Sequence, residues 1–463
     1  MKILIYFLII VLWSINMEAK VKLPPLLSDN MVLQQKSNVR IWGKATPNST
    51  VVVTPSWANK EVKTHADEKG CWELQITTPA ASFEEYTLTL TDGEQSVTLQ
   101  HLLIGEVWLC AGQSNMVMPL NGFDYCPISD SNNVIADAPN HPGIRMVTIK
   151  PTVKLSPQEY AEGSWQQPTT ENAPKFSAAA YHYALTLQLT LQIPIGVITC
   201  AWGGSRVEGW LPKEILQTYK DEDLTLIGSD KTPVYLQSML MYNGILYPCH
   251  KYTIKGFIWY QGESNVRSSR TYAERLATMV KHWRSIWKQG DLPFYYVQLS
   301  SIDRPSWTWF RDSQRRLAQT VSNTGMAVSS DRGDSLNVHP TRKKEIGERL
   351  AHWALNKTYG HNVIPSGPLF RNATFTDNAA YITFDYAKGL RTSDGDPIRT
   401  FEIAEQEGLY YPAQAVVENG KVKVWNDQVT HPKLVRYGWQ PFTRANLVNE
   451  AGMPASTFRA IKE

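Results

Sequence analysis

Apolar and polar positions divide the chain into three stretches. From about residue 20 to 100 the apolar runs are short and rich in β-branched residues, at 30–35, 39–42, 50–54 and 86–91, with turns at Pro47-Asn48 and Asp92-Gly93. This spacing predicts the strands of a small sandwich. From 103 to about 360 the runs at 103–110, 144–149, 195–200, 256–260, 294–299 and 326–330 alternate with helical stretches at 178–191, 272–287, 309–321 and 345–359. In the second stretch Tyr272, Leu276, Met279, Val280, Trp283 and Trp287 fall on one helical face. Such alternation predicts a mostly parallel sheet with helices on both faces, and ligands on such sheets lie beyond the carboxyl ends of the strands. From 365 onward short strands return, at 380–384, 400–404, 413–417 and 421–425, with a hairpin turn at Glu418-Asn419-Gly420. The expected divisions are 1–19, 20–102, 103–362 and 363–463. The last packs on either the first β region or the α/β part.

Lys2 precedes an apolar run at 3–13 that is too short to span a bilayer, and Met17-Glu18-Ala19 offers a cleavage site. Residues 1–19 are therefore expected to be a signal peptide, giving an exported protein, periplasmic or secreted, with no membrane span in its mature form. A signal anchor is the alternative. The 463 residues are 43% hydrophobic and 19% charged, which excludes a disordered chain. The net charge of +3 is spread without long runs, so no nucleic-acid partner is expected. The 16 Trp and 21 Tyr suit a β-rich core, and aromatic faces also suit sugar rings. The five cysteines form no CxxC or zinc spacing, and a Cys110–Cys126 bridge is left open. With neither GxGxxG nor a P-loop, no nucleotide cofactor is expected, and no His/Cys/Asp spacing suggests a metal.

Four loops that follow apolar runs carry candidate chemistry. Gly112-Gln113-Ser114-Asn115-Met116 places a serine in a tight turn, where it can serve as a nucleophile with its own N–H facing an oxyanion. Met116 breaks the G-x-S-x-G elbow. Taken alone, such a turn equally fits an ordinary turn serine. Ala201-Trp202-Gly203-Gly204-Ser205 lets backbone approach a ligand and offers an N–H. Trp259-Tyr260-Gln261-Gly262-Glu263-Ser264-Asn265 clusters amides and a carboxylate: Gln261 or Asn265 can donate to an oxyanion, and Glu263 can orient a base. The fourth loop, 331–340, holds His339 near Asp331 and Asp334, and it alone of the ten histidines lies beside acids at a strand-to-helix loop.

These blocks in this order resemble the SGNH (GDSL-like) hydrolase superfamily, and within it the sialate O-acetylesterase family. The resemblance runs through 105–116, Trp202-Gly203-Gly204-Ser205, 259–265 and His339-Pro340. It extends to 29–34 and to Val435-Arg436-Tyr437-Gly438-Trp439 with Pro454 and Phe458. It implies an α/β/α hydrolase domain with β-sandwich-like accessory regions at both ends, and metal-free removal of acetyl groups from O-acetylated sialic acid or a sialoglycan. By resemblance Ser114 is the nucleophile and His339 the base. The N–H groups of Ser114 and Gly204 with the side chain of Gln261 or Asn265 form the oxyanion hole, and Gln113 and Arg206 bind substrate, Arg206 at the sialate carboxylate. The family has an aspartate two residues before the histidine, where this chain has Asn337. That leaves Asp334, Glu263 or a backbone carbonyl to orient His339, or else a weakened enzyme that binds glycans. Acetylated xylan or another acetylated glycan is the alternative substrate, and the oligomeric state is left open.

Overall fold

The structure, a computed structural model, describes residues 21–58 and 60–462. The expected signal segment 1–19 lies outside the described residues. Six parallel strands form the catalytic sheet: β1 (Ser96–Gly112), β2 (Ile144–Thr148), β3 (Ile195–Ala201), β4 (Gly256–Tyr260), β5 (Phe294–Gln298) and β6 (Thr324–Val328), in the order β2-β3-β1-β4-β5-β6. β3, β4 and β5 are buried along their whole length, as a sheet covered on both faces requires.

Four helices supply the cover: α1 (Ala178–Leu191), α2 (Ser269–Trp287), α3 (Trp307–Thr320) and α4 (Lys343–Trp353). α1 packs on α4, and α2 on α3. The pleat of β5 puts the two pairs on opposite faces, because successive side chains point to opposite sides. Tyr295 stacks on Trp108 and on Trp353 of α4. Its neighbours Phe294 and Tyr296 turn the other way, to Trp283 of α2 and the Gln314 carbonyl of α3. The six residues predicted to share one face of α2 are all fully buried.

The N-terminal β region is not a separate body. β1 runs unbroken through the expected 102/103 boundary: its first half pairs antiparallel with Ser82–Thr91, and its second half is the centre of the catalytic sheet. One apolar core spans both parts. Residues 369–461 form a second core of their own, built on two four-stranded antiparallel sheets and a two-stranded one. This region docks on α3. The buried Arg311 guanidinium donates to the carbonyls of Gly438, Gln440 and Pro441, and Trp309 meets Trp439 edge to face. All five cysteines are free thiols, so Cys110 and Cys126 are not bridged. No helix among the described residues is long and apolar enough to cross a membrane.

Candidate active site

The chain leaves β1 for β2 and β3 on one side and later crosses to β4, β5 and β6 on the other, so the carboxyl end of β1 is the switch point where such sheets bind ligands. Three of the four loops meet the nucleophile turn there. Gly112 is required by close approach: a Cβ at this position would lie 2.1 Å from the Tyr260 carbonyl oxygen. The N–H of Gln113 donates to that same carbonyl at 3.0 Å, which fixes the turn against β4. Ser114 then opens a one-turn helix, Ser114–Val117, and is partly exposed.

His339 Nε2 lies 2.9 Å from Ser114 Oγ. Burial, with the charges of Lys343 and Arg304, lowers its pKa from 6.5 to about 4, so the ring is neutral at pH 7 and able to accept a proton. Its other nitrogen, Nδ1, has the Tyr125 hydroxyl at 3.5 Å, beyond a good hydrogen bond. Asn337 Oδ1 accepts the backbone N–H of His339, and Asn337 Nδ2 donates to Cys126 Sγ at 3.1 Å. Cys126 in turn donates to the His339 carbonyl, and the edge of Phe123 packs on the imidazole. The turn 123–126, silent in the sequence, thus holds the histidine loop.

The two carboxylates expected to orient His339 are both engaged elsewhere. Asp334 is exposed and folds back on its own turn: Oδ1 accepts the N–H groups of Leu336 and Asn337, which lower its pKa. Glu263 is buried behind the nucleophile, where its Oε1 accepts from Asn115 Nδ2 and desolvation raises its pKa. Asn115 Oδ1 takes a hydrogen bond from Lys343 Nζ at 2.5 Å, and Lys343 also donates to the Pro340 carbonyl. Burial brings the Lys343 pKa down to about 7. Glu263, Asn115 and Lys343 therefore form one buried bridge between the third loop, the nucleophile and the histidine loop. The sequence hid Lys343 beside Lys344 at the start of a charged helix.

Three further expectations are corrected by hydrogen bonding. Gln261 Nε2 donates to the Ser205 carbonyl and to Asn265 Oδ1, so both its hydrogens are spent. Asn265 is buried; its Oδ1 accepts from Val207 N–H and its Nδ2 donates to Glu208 Oε2. Both amides fasten the loop after β3 to the loop after β4. Arg206 is held by Glu222, Ser238 and the Leu236 carbonyl, and is not free for a substrate carboxylate. Gln113 Oε1 accepts from the N–H groups of Gly262 and Ser264, while its Nε2 has no partner among the described residues.

The N–H groups of Ser114 and Gly204 have no hydrogen-bond acceptor among the described residues. The Trp202–Gly204 loop lies against the nucleophile: Trp202 N–H donates to the Gly112 carbonyl, and Ser264 Oγ to that of Gly204. Gly204 has φ +75°, and a Cβ there would strike the Tyr235 ring at 2.6 Å. Beside this loop opens a cleft of about 430 Å³, lined by Phe123, Trp202 and Gly203, with Lys175 as the only charged residue in its wall.

A parallel sheet with this order, bearing a serine after its central strand and a histidine after its last, is an SGNH-type hydrolase fold. The profile of the family described as carbohydrate esterase, sialic acid-specific acetylesterase matches residues 104–356, and the chain belongs to that family. It is similar to a carbohydrate acetylesterase of known structure from Xanthomonas citri, with 32% identity and a TM-score of 0.85 over 95% of this chain and 99% of that one. It is also 27% identical over 420 residues to the sialate O-acetylesterase of Homo sapiens and to that of Pongo abelii, covering 82% of this chain and 79% of each relative. The protein is a carboxylic ester hydrolase acting on O-acetyl groups of glycans.

Proposed function

We propose that this protein removes acetyl groups from O-acetylated sialic acid, with Ser114 as nucleophile and His339 as base. The observation that carries the mechanism is the 2.9 Å pairing of Ser114 Oγ with a neutral imidazole at the switch point of the sheet. His339 Nε2 takes the Ser114 proton as Oγ attacks the acetyl carbonyl. The N–H groups of Ser114 and Gly204, and Gln113 Nε2, are the free donors for the resulting oxyanion. Collapse returns the proton from His339 to the departing sugar oxygen and leaves an acetyl ester on Ser114. Water, deprotonated by His339, then releases acetate and restores the serine. With both nearby carboxylates engaged elsewhere, catalysis rests on a Ser–His dyad whose imidazole packs against Phe123 and Tyr125 and whose loop is clamped by Asn337 and Cys126.

Family membership supports sialic acid as the substrate, and Lys175 in the cleft wall supplies a cation for its carboxylate. The Lys2-led apolar segment supports export, to the periplasm or beyond. Acetate release is measured from 9-O-acetylated sialic acid and from acetylated xylan. Release from the sialic acid is expected to be faster. Release from xylan alone keeps the mechanism and overturns the substrate.

A further inference from the structure

A second cleft, of about 380 Å³, opens on the seam between the catalytic domain and the C-terminal β region. Its wall is Ser269, Arg270, Trp309, Arg316 and Arg459, none shared with the cleft beside Ser114. Arg270 sits in the first turn of α2. Trp309 and Arg316 lie seven residues apart on α3 and so share a face, and Arg459 comes from the last strand, Phe458–Ile461. Three guanidinium groups thus converge in a wall that contains no carboxylate. Arg316 is paired with Asp312, and Arg459 with Glu407, both outside the wall. Arg270 has no acidic partner among the described residues. Trp309 is 41% exposed although its ring is large and apolar, and the Arg459 guanidinium rests 5.1 Å from its centre. Packing between the two regions accounts for Arg459 and Trp439 against Trp309, but not for Arg270 or for the part of the Trp309 ring left open to solvent. The seam is already held by Arg311 on three carbonyls and by Trp439 against Trp309, and Arg270, which has no acidic partner among the described residues, adds no contact to it.

We infer that this cleft is a second, non-catalytic binding site for an acidic sugar, seating a sialic acid residue by its carboxylate on Arg270, with the Asp312-paired Arg316 beside it, and by its C–H face on Trp309. A planar guanidinium fork matches a carboxylate in two parallel hydrogen bonds, and an exposed indole beside it suits a pyranose ring. The sialic acid identity rests on the proposed substrate; the acidic-sugar chemistry does not. The site would hold a sialoglycan on the enzyme while the acetylated residue occupies the other cleft.

Titration calorimetry of the full chain with Ser114→Ala tests this, using sialyllactose, lactose and a sulfated disaccharide. The ligands carry no acetyl group, so binding is read whether or not the enzyme deacetylates sialic acid. Sialyllactose is expected to bind, lactose not, and the sulfated sugar more weakly than sialyllactose. Arg270→Glu, at an exposed position with no partner to lose, is expected to weaken binding roughly tenfold or more at an unchanged melting temperature. Trp309→Ala is expected to weaken it as well. No binding of sialyllactose, equal binding of lactose, tighter binding of the sulfated sugar, or an affinity indifferent to Arg270→Glu would each overturn the proposal. A protein that binds sialyllactose here but releases acetate only from xylan would lose its proposed substrate and keep this site.

Discussion

Asn337 holds the backbone of His339 and not its ring. Its Oδ1 accepts the His339 N–H at 2.9 Å, while the nearest hydroxyl to ring Nδ1 is that of Tyr125 at 3.5 Å. Asn337 is thus a neutral side chain that shapes the loop and contributes no charge to the imidazole. Buried, and facing the cations Lys343 and Arg304, His339 loses its proton near pH 4. A base must be unprotonated to act, so activity falls as pH drops through that value. The acid limb of kcat/KM is therefore expected close to pH 4. A limb near 6.5 would mean that the ring is as solvated as a free histidine.

Asn337→Asp adds a carboxylate two residues before His339. The new charge favours the imidazolium and is expected to raise the acid limb by about 1–3 units. It also stabilises the charge that forms as Ser114 attacks, so kcat is expected to rise roughly tenfold or more. The pH–rate profile of the variant beside the natural enzyme reads both. An unmoved limb with unmoved kcat would show that this position does not communicate with the ring.

The pattern of apolar positions carries most of the fold because burial sets it directly. The α2 face from Tyr272 to Trp287 and the ends of the catalytic strands fall where period and turn residues place them. The error at the 102/103 boundary has a physical origin. Residues 96–99 alternate polar and apolar on a sheet open to water on one side, then from Leu102 the same strand enters a sheet covered on both faces and is wholly buried, with Glu106 as its one charged residue. A change of pattern there marks a change of cover and not a break in the chain. The serine and the histidine were legible as strand-end residues. The partners of Arg206, Gln261 and Asn265 were not, because Glu222, Ser238, Ser205 and Glu208 reach them only through the folded loops. Tyr125 and Cys126 carry no motif and meet His339 only in three dimensions.

Glu263 and Lys343 face each other across Asn115, which donates to the carboxylate and accepts from the ammonium, and each favours the charged form of the other. Removing one charge strands the other. Lys343→Met or Glu263→Leu alone is expected to cost about 3–5 kcal/mol of stability, and the double variant markedly less than the sum. Melting curves of the three proteins test this. Additive losses would contradict the coupling.

Lys175 is the only charge in the wall of the cleft beside Gly203. If it meets the substrate carboxylate, Lys175→Ala raises KM for O-acetylated sialic acid by roughly tenfold, the loss of one charge-assisted contact. Hydrolysis of a neutral acetylated sugar is expected to change little. Equal losses on both substrates would make Lys175 a structural residue of the cleft.

Acetate release by the natural enzyme beside Ser114→Ala, with O-acetylated sialic acid as substrate, bears most directly on the pairing of Ser114 with His339. The prediction is a fall of roughly 10⁴-fold or more in kcat at an unchanged melting temperature, together with loss of the acetyl adduct on the peptide containing Ser114 in the quenched natural enzyme. A variant that still releases acetate at the natural rate would contradict the assignment of Ser114 as nucleophile.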